Sequence, residues 1–373
     1  MICKKKIVSA IAATIFSVAS LNALSADEIV IALAGPTTGP VTQYGTMQNI
    51  GAEMAAEQIN AAGGINGKKI KTKIYDDACE AKQAVTVAHQ IVNDKVKFVV
   101  GHLCSASTLP AAEIYEEEGI VMVSPASTDP ALGDKGFEHI FRTIGTDAQS
   151  APASAAYIAD VLKPKKIALL HDKQQYGQGL AEGVAKVLKE KGIEPVLLEG
   201  VNKGQTDFSA LITKLKKAEV DFVYWGGYHP ELGLIIRQGA DQGFKPTYMG
   251  ADGIDNQDIF AIAGKAADGL LATVPKNFIE EASNAELKKA FEEKKQDPNG
   301  PFVLRGYAAM QVIALAANKA QSEDTDKVAE VLHKENFETP IGKIAFQKNG
   351  DLQEAESVIY SLKSDGSREL LTK

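Results

Sequence analysis

One tryptophan, three cysteines and six histidines are all that 373 residues contain of those types. Past the first two dozen residues, no stretch reaches the roughly 18 consecutive apolar positions that a membrane span requires. The histidines, His89, His102, His139, His171, His229 and His333, show no metal-ligand spacing, and no C-x-x-C occurs, so a metal pair and a dithiol redox couple have little basis in the sequence. No P-loop, G-x-S-x-G or H-E-x-x-H is present, which removes the usual signatures of nucleotide hydrolysis, serine hydrolysis and zinc proteolysis. Basic residues are too few to balance the acidic ones, 40 against 48 for a net charge of −8, a poor match to nucleic acid or an anionic membrane surface. Internal repeats and low-complexity segments are also missing.

What is present begins with an address. Lys4, Lys5 and Lys6 precede an uncharged apolar run from Ile7 to Leu24, followed by small residues, the pattern of a secretory signal peptide. Ala23-Leu24-Ser25 fits the small-x-small rule. The expected leader is therefore residues 1–26, cleaved after Ser25 or Ala26, and the mature chain is expected in the periplasm as a soluble protein. Cys3 lies ahead of the apolar run, where it cannot become a lipid-anchored N-terminus. Loss of the three lysines leaves 37 basic residues against 48 acidic, a net charge of about −11. The two cysteines that remain, Cys79 and Cys104, default to one disulfide in an oxidising compartment, worth roughly 3 to 4 kcal/mol in the chain-entropy model.

A mature length of about 347 residues exceeds the size at which one core keeps growing, which favours two domains. Short apolar runs alternate with helix-period segments, the pattern of βαβ units and a mostly parallel sheet. Strands are expected at Glu28 to Leu33, Lys69 to Tyr75, Phe98 to Val100 and Ile120 to Val123. Helices are expected from Gln43 to Ala61 and from Ala81 to Lys95. The pattern restarts after Thr146 with a helix to Leu162, a strand Lys166 to His171, a helix Gly177 to Lys191 and strands Glu194 to Leu198 and Phe222 to Trp225. Between the two α/β halves Arg142-Thr143-Ile144-Gly145 reads as extended, with Gly145 as the pivot. The last third is expected to hold helices near Ala285 to Lys295, Val303 to Lys319 and Lys327 to Glu335, then a β-hairpin of Ile344 to Phe346 with Val358 to Leu362.

Ligands of open α/β sheets bind beyond the carboxyl ends of the strands, so the loops there are the candidate site. Phe98-Val99-Val100-Gly101 runs into His102-Leu103-Cys104-Ser105-Ala106-Ser107-Thr108, a hydroxyl-rich helix start suited to a carboxylate. Simple N-capping would explain it equally, but Ser124-Pro125-Ala126-Ser127-Thr128 repeats the arrangement after the next strand. The second half offers Tyr176, Tyr228 and Asp252 at its strand ends. A Gly-flanked Asp is commonly turn chemistry; here anion donors facing a carboxylate and aromatic walls suit an α-amino acid. Gly177-Gln178-Gly179 with Gly183, and Glu199 after the next strand, imitates a dinucleotide fingerprint. Its spacing is G-x-G-x-x-x-G, however, and five residues separate it from its strand where a tight turn is needed.

At these residues the sequence resembles the periplasmic leucine/isoleucine/valine-binding proteins of ABC amino-acid importers, over essentially the whole mature chain. The resemblance is carried by Gly39-Pro40-Val41-Thr42-Gln43-Tyr44-Gly45, Tyr75-Asp76-Asp77-Ala78-Cys79, Gly101-His102-Leu103-Cys104-Ser105, His171-Asp172-Lys173-Gln174-Gln175-Tyr176-Gly177 and Gly226-Gly227-Tyr228-His229-Pro230-Glu231. It implies a type I periplasmic binding protein fold, two doubly wound α/β lobes joined by a three-crossover hinge. Lobe 1 would be 27–146 plus 276–355, and lobe 2, the closing lobe, 147–275 plus 356–373. It further implies that Ser105 and Thr128, with backbone N–H groups around Ala126 and Ser127, bind the ligand carboxylate. Tyr44, Leu103, Cys104, Tyr176, Tyr228 and Phe302 would line the side-chain and closing surfaces, and Cys79–Cys104 would be the disulfide. The family's ammonium-binding acid is usually Glu in a Gly-Pro-Glu-Gly run. This chain has Gly250-Ala251-Asp252-Gly253, which keeps the charge and shortens its reach.

The function so implied is capture of a free amino acid, leucine, isoleucine or valine, without chemistry and without a cofactor, by a monomer that delivers it to importer permease subunits. Three other readings stand beside it: another small amino acid such as γ-aminobutyrate in the same kind of protein, a dinucleotide-dependent enzyme, and a ligand-sensing receptor domain. The last would need a tether or signalling domain, and none is expected before Lys373.

Overall fold

A computed structural model describes residues 28–372; the expected leader and its cleavage site lie outside these residues. The first half winds β1 (Glu28–Gly35), α1 (Thr42–Ala61), β2 (Lys69–Asp76), α2 (Ala81–Asn93), β3 (Phe98–Val100), α3 (Ser105–Glu117), β4 (Val121–Ser124), α4 (Ala131–Asp134) and β5 (Ile140–Arg142). Its five strands are all parallel, in the order β2-β1-β3-β4-β5. The strands have the near-continuous apolar character of a sheet covered on both faces. Tyr75, Ala84, Val87, Ala111 and Tyr115 bury one face under α2 and α3.

The chain then crosses to the second half through Thr143–Thr146. There α5 (Asp147–Ala156) opens on a capping box in which Thr146 Oγ1 accepts from Gln149 N–H and the Gln149 side chain accepts from Thr146 N–H. The expected helix to Leu162 is continuous, but its last stretch, Tyr157–Leu162, widens to i→i+5 turns. Next come β6 (Ile167–His171), α6 (Gln175–Glu190), β7 (Leu197–Gly200), α7 (Ser209–Lys217), β8 (Phe222–Gly226), α8 (His229–Asp241), β9 (Thr247–Ala251), α9 (Asp258–Ala263) and β10 (Leu270–Pro275). After β10 the chain returns to the first half as α10 (Ala285–Glu293), α11 (Val303–Ala320) and α12 (Thr325–Lys334). The apolar faces of α11 and α12 join α1 over the open face of the first sheet. A small antiparallel pair follows, β11 (Phe337–Thr339) with β12 (Gly342–Ile344).

The final strands correct one expectation. Val358 to Leu362 does not form a hairpin with Ile344 to Phe346. It belongs to β13 (Ser357–Leu362), which crosses back to the second half and pairs antiparallel with β10 and with β14 (Arg368–Leu370), giving a seven-stranded sheet β14-β13-β10-β9-β8-β6-β7. Two alternating apolar runs around Gly350-Asp351 carry the hairpin pattern, yet the pattern does not specify a partner. β13 finds a full six-residue register along β10, whereas Phe346 meets only Leu352 across the turn.

The three passages between halves lie side by side. A Cβ on Gly145 would stand 2.5 Å from the Cβ of Ala355, so glycine is required there for the first and third crossovers to touch. Gly177 is likewise a packing glycine: its Cβ would meet the Gly226 carbonyl oxygen at 2.5 Å. The G-x-G run thus sits where α6 packs against β8.

Candidate functional site

The loops at the carboxyl ends of the two sheets meet across a cleft. On the first half, β3 delivers the chain into Leu103 and Cys104, and α3 begins at Ser105. Cys104 is bonded to Cys79, with Cα atoms 5.5 Å apart, so the disulfide ties the start of α3 to the loop after β2. Beneath it His102 is fully buried between Asp77 Oδ2, 2.7 Å from Nδ1, and Tyr115 Oη, 2.9 Å from Nε2. Ser124 Oγ donates to His102 O at 2.7 Å and accepts from Ser127 N–H at 3.0 Å, locking the β4 loop onto the β3 loop.

That lock brings the two hydroxyl clusters together. Ser127 Oγ donates to Ser105 Oγ at 3.4 Å, and Asp129 N–H reaches Ser105 Oγ at 3.4 Å. The loop is held from behind by Arg142, whose Nη1 donates to Ser127 O and Asp129 O at 3.0 and 2.9 Å. Its Nε donates to Asp351 Oδ1 at 2.5 Å. The Thr128 hydroxyl is buried. It lies beside the Asp147 carboxyl, on which it acts as a hydrogen-bonding neighbour.

On the second half Asp252 follows β9 and is buried; Tyr176, at the start of α6, donates to its Oδ1 at 2.6 Å, and Gly253 N–H donates to Tyr176 Oη at 3.1 Å. Burial pushes the Asp252 carboxyl up to about 6. Burial, then the charges of Asp252 and Asp147, hold the Tyr176 phenol well above its ordinary value, so it remains a donor. Asp172 is also pushed up to about 6 by burial while it accepts from Gln174 N–H and Tyr228 N–H.

An apolar patch lies between these polar ends: Val41, Tyr44, Leu103, Cys104, Ala126, Ile144 and Phe302 pack together, with Tyr228 against them. Tyr44 meets Phe302 edge-on at 5.5 Å, and Tyr228 lies 5.2 Å from Tyr176. Tyr44 bridges the halves by donating to Gly253 O at 2.7 Å and accepting from Asn256 Nδ2. Gln43 Nε2 reaches the His229 ring at 3.1 Å, and on the rim Lys203 pairs with Glu80.

Every residue selected from the sequence therefore falls in one connected region. Ser105, Ala126, Ser127 and Thr128 form the polar floor, Tyr44, Leu103, Cys104, Tyr228 and Phe302 the apolar wall, and Tyr176 with Asp252 the acidic end. Thr128 and Asp252 line the same narrow cavity, which runs toward the crossovers past Asp147, Thr273 and Arg305. Sequence reasoning missed Asp147, Arg142, Asn256 and Asp351. Asp147 is hidden in a Thr-Asp-x-Gln helix start, and Asp351 in a Gly-Asp turn. Among the described residues no group of three or more His, Cys, Asp or Glu side chains could hold a metal ion. None of the described helices is long and apolar enough to cross a membrane.

Comparison with known proteins identifies the family. Residues 28–367 match the family described as periplasmic binding protein. The chain is 52% identical over 345 residues, 92% of each chain, to the leucine-, isoleucine-, valine-, threonine- and alanine-binding protein of Pseudomonas aeruginosa. It is 44% identical over 358 residues, 96% of this chain and 97% of the other, to the Leu/Ile/Val-binding protein of Escherichia coli K12. Among solved structures, a leucine-binding protein from Thermotoga maritima superposes with a TM-score of 0.85 at 27% identity, covering 93% of this chain and 98% of that one. The isoleucine complex of a branched-chain amino-acid transporter substrate-binding protein from Streptococcus pneumoniae gives 0.81 at 26% identity, covering 93% and 99%.

Proposed function

The chain belongs to the periplasmic binding protein family, and from that premise we propose that it captures a free branched aliphatic amino acid by lobe closure and delivers it to the permease of an ABC importer. The observation that carries this reading is the pairing across one cavity of the buried Thr128 hydroxyl with the buried Asp252 carboxylate, beside an apolar wall. A zwitterion satisfies both ends, and its side chain fills the wall.

In this reading the ligand carboxylate docks on Ser105, Thr128 and backbone N–H groups near Ala126. Lobe 2 (147–275 plus 356–373) then swings onto lobe 1 (27–146 plus 276–355), brings Asp252 to the ammonium and closes Tyr176 and Tyr228 over the side chain, a hinge motion of a known kind. Both ligand charges lose water and both gain partners, as buried charges require. Burial of a leucine-sized side chain adds roughly 1.5 to 3 kcal/mol. Nine ligand heavy atoms at a ceiling of about −1.5 kcal/mol each allow sub-micromolar affinity without a covalent step. Export through the leader at 1–26 places the protein in the periplasm, where it works as a monomer.

Isothermal titration of protein refolded to strip bound ligand, against the twenty amino acids and γ-aminobutyrate, tests this. Leucine, isoleucine and valine bind tightest if the reading holds. Tightest binding of γ-aminobutyrate, which lacks an α-ammonium, overturns the branched-chain assignment, and binding of nicotinamide dinucleotide overturns the class. Threonine and alanine belong in the panel because the Pseudomonas relative is a binding protein for both as well.

A further inference from the structure

The runs His171-Asp172-Lys173-Gln174-Gln175-Tyr176-Gly177 and Gly226-Gly227-Tyr228-His229-Pro230-Glu231 each bring one tyrosine to the cleft, and the first also carries Asp172, which has no role in the reading above. Asp172 directly follows β6 and is buried. It is not among the residues that line the cavity of Thr128 and Asp252. Its Oδ1 accepts from Gln174 N–H at 2.9 Å, two residues before Tyr176, and its Oδ2 accepts from the N–H of Tyr228 itself at 3.4 Å. The first bond alone is an Asx turn, common where a strand ends. The second is not local, since it joins the loop after β6 to the loop after β8, 56 residues on. Two donors from two loops call for two acceptor oxygens, which a carboxylate supplies and an amide does not.

The backbone closes on that carboxylate from both sides. A Cβ on Gly177 would stand 2.3 Å from Asp172 Oδ1, and one on Gly227, where φ is +145°, would stand 2.7 Å from Oδ2. Asp172 N–H also donates to Gly226 O at 3.1 Å. Tyr228 is held on its other side by Trp225, whose Nε1 donates to Tyr228 O at 2.9 Å, and Tyr176 is held at its tip by Asp252. The Tyr228 ring thus stands 5.2 Å from Tyr176 and 6.2 Å from Tyr44. It joins the acidic end of the site to the apolar wall, at a distance from Tyr176 that is fixed through Asp172.

We propose that Asp172 is a positioning residue: by holding the loops of Tyr176 and Tyr228 at one spacing, it sets the size of side chain that the closed cleft grips best. The inference rests on the amino-acid reading of the site. Carboxylate and ammonium are the same in every α-amino acid and are met by other residues, so loss of the spacing weakens each ligand according to the side chain that the tyrosines cover. Leucine loses more than valine, which is one methylene shorter. In a hydrophobic pocket one methylene discriminates by about 10- to 200-fold, and that part of the affinity is what the spacing controls.

Calorimetric titration of leucine and valine into ligand-stripped parent and Asp172→Asn reads the ratio of the two dissociation constants. The amide keeps one acceptor for the Asx turn and leaves Tyr228 N–H without one. Leucine should bind at least about tenfold more weakly, and the preference for leucine over valine should fall by at least about threefold. An equal loss for both ligands, or no loss, overturns the positioning role and leaves the ligand assignment standing. A second measurement needs no variant: in the parent, the amide signals of Gln174 and Tyr228 followed by NMR should shift with one common midpoint near 6, the value to which burial pushes the Asp172 carboxyl. The charged groups that act on this carboxyl are Glu231 of α8, which raises it, and Lys203 of the loop after β7, which lowers it. A Tyr228 amide that does not move with that of Gln174 overturns the shared carboxylate, whether or not the Asn variant folds. A parent that binds no amino acid overturns the ligand assignment and this inference with it.

Discussion

Asp252→Asn should stabilise the ligand-free protein and weaken ligand binding, two effects of opposite sign from one atom's change. Burial lifts the Asp252 carboxyl from 3.8 to about 6, so the folded state holds its proton more tightly than the unfolded chain does. That contribution to stability is fully present below pH 3.8 and is lost as pH rises through about 6. By pH 7 the ionised group leaves the fold about 3 kcal/mol less stable than an uncharged one would. Asparagine carries no charge, keeps the shape and can still accept from Tyr176 Oη, which now donates to Asp252 Oδ1 at 2.6 Å. Urea denaturation of ligand-stripped protein should therefore show a gain of up to about 3 kcal/mol at pH 7 that shrinks toward zero near pH 3.5. Calorimetric titration of the same variant should show leucine binding weaker by at least about 2 kcal/mol, the scale for breaking a desolvated charge pair. A variant less stable than the parent at pH 7 would show that the carboxylate is compensated where it sits. Unchanged leucine affinity would move the ammonium away from Asp252.

Three further outcomes follow from the same geometry. Ser105→Ala should weaken leucine binding by about 1 to 3 kcal/mol with the fold intact, one hydrogen bond to a charged group, and an unchanged dissociation constant would remove Ser105 from the site. Reduction of Cys79–Cys104 should cost roughly 3 to 4 kcal/mol in denaturation and weaken binding as well, because Cys104 directly precedes Ser105; two free thiols in peptide maps of protein from its native compartment would contradict the bond. Asp252→Glu should keep or improve leucine affinity if the shorter acid only draws the lobes slightly closer, whereas a collapse of binding would mean a pocket re-spaced around aspartate.

Much of the fold could be read from alternation alone. β3 begins and ends where the apolar triplet Phe98-Val99-Val100 does, and α1, α2 and α11 lie within two residues of their expected spans. Those elements carry their burial pattern locally. β13 shows where local pattern stops: its partner, β10, lies some ninety residues back, and nothing within Val358 to Leu362 names it. The same limit separates the site residues that were found from those that were missed. Ser105, Thr128 and Asp252 each lie in the segment that leaves the carboxyl end of a strand, where the topology rule points. Asp147 and Asp351 lie on crossover segments and acquire their surroundings only when the three passages close up. In sequence, Asp147 is a helix start and nothing more, since its burial is contributed by Thr128 and Asp252 from opposite halves.

The distribution of contacts explains how such a cleft can act as a switch. Each half has its own continuous core on both faces of its sheet, so neither depends on the other to stay folded. Between them stand a few hydrogen bonds, Tyr44 to Gly253 O and Gln43 to His229, the rim pair Lys203–Glu80 and a modest aromatic patch. Rim ion pairs of this kind contribute little. Against these contacts, Asp252 is held buried, a position that disfavours its ionised form until a cation meets it. A ligand shifts an equilibrium only by its differential affinity for the two states. In the proposed reading that difference lies in the ammonium, which meets Asp252 only when the lobes are closed. A molecule with the right carboxylate and side chain but no amine, such as the deaminated analogue of leucine, should therefore dock on the Ser105 lobe and fail to close the cleft.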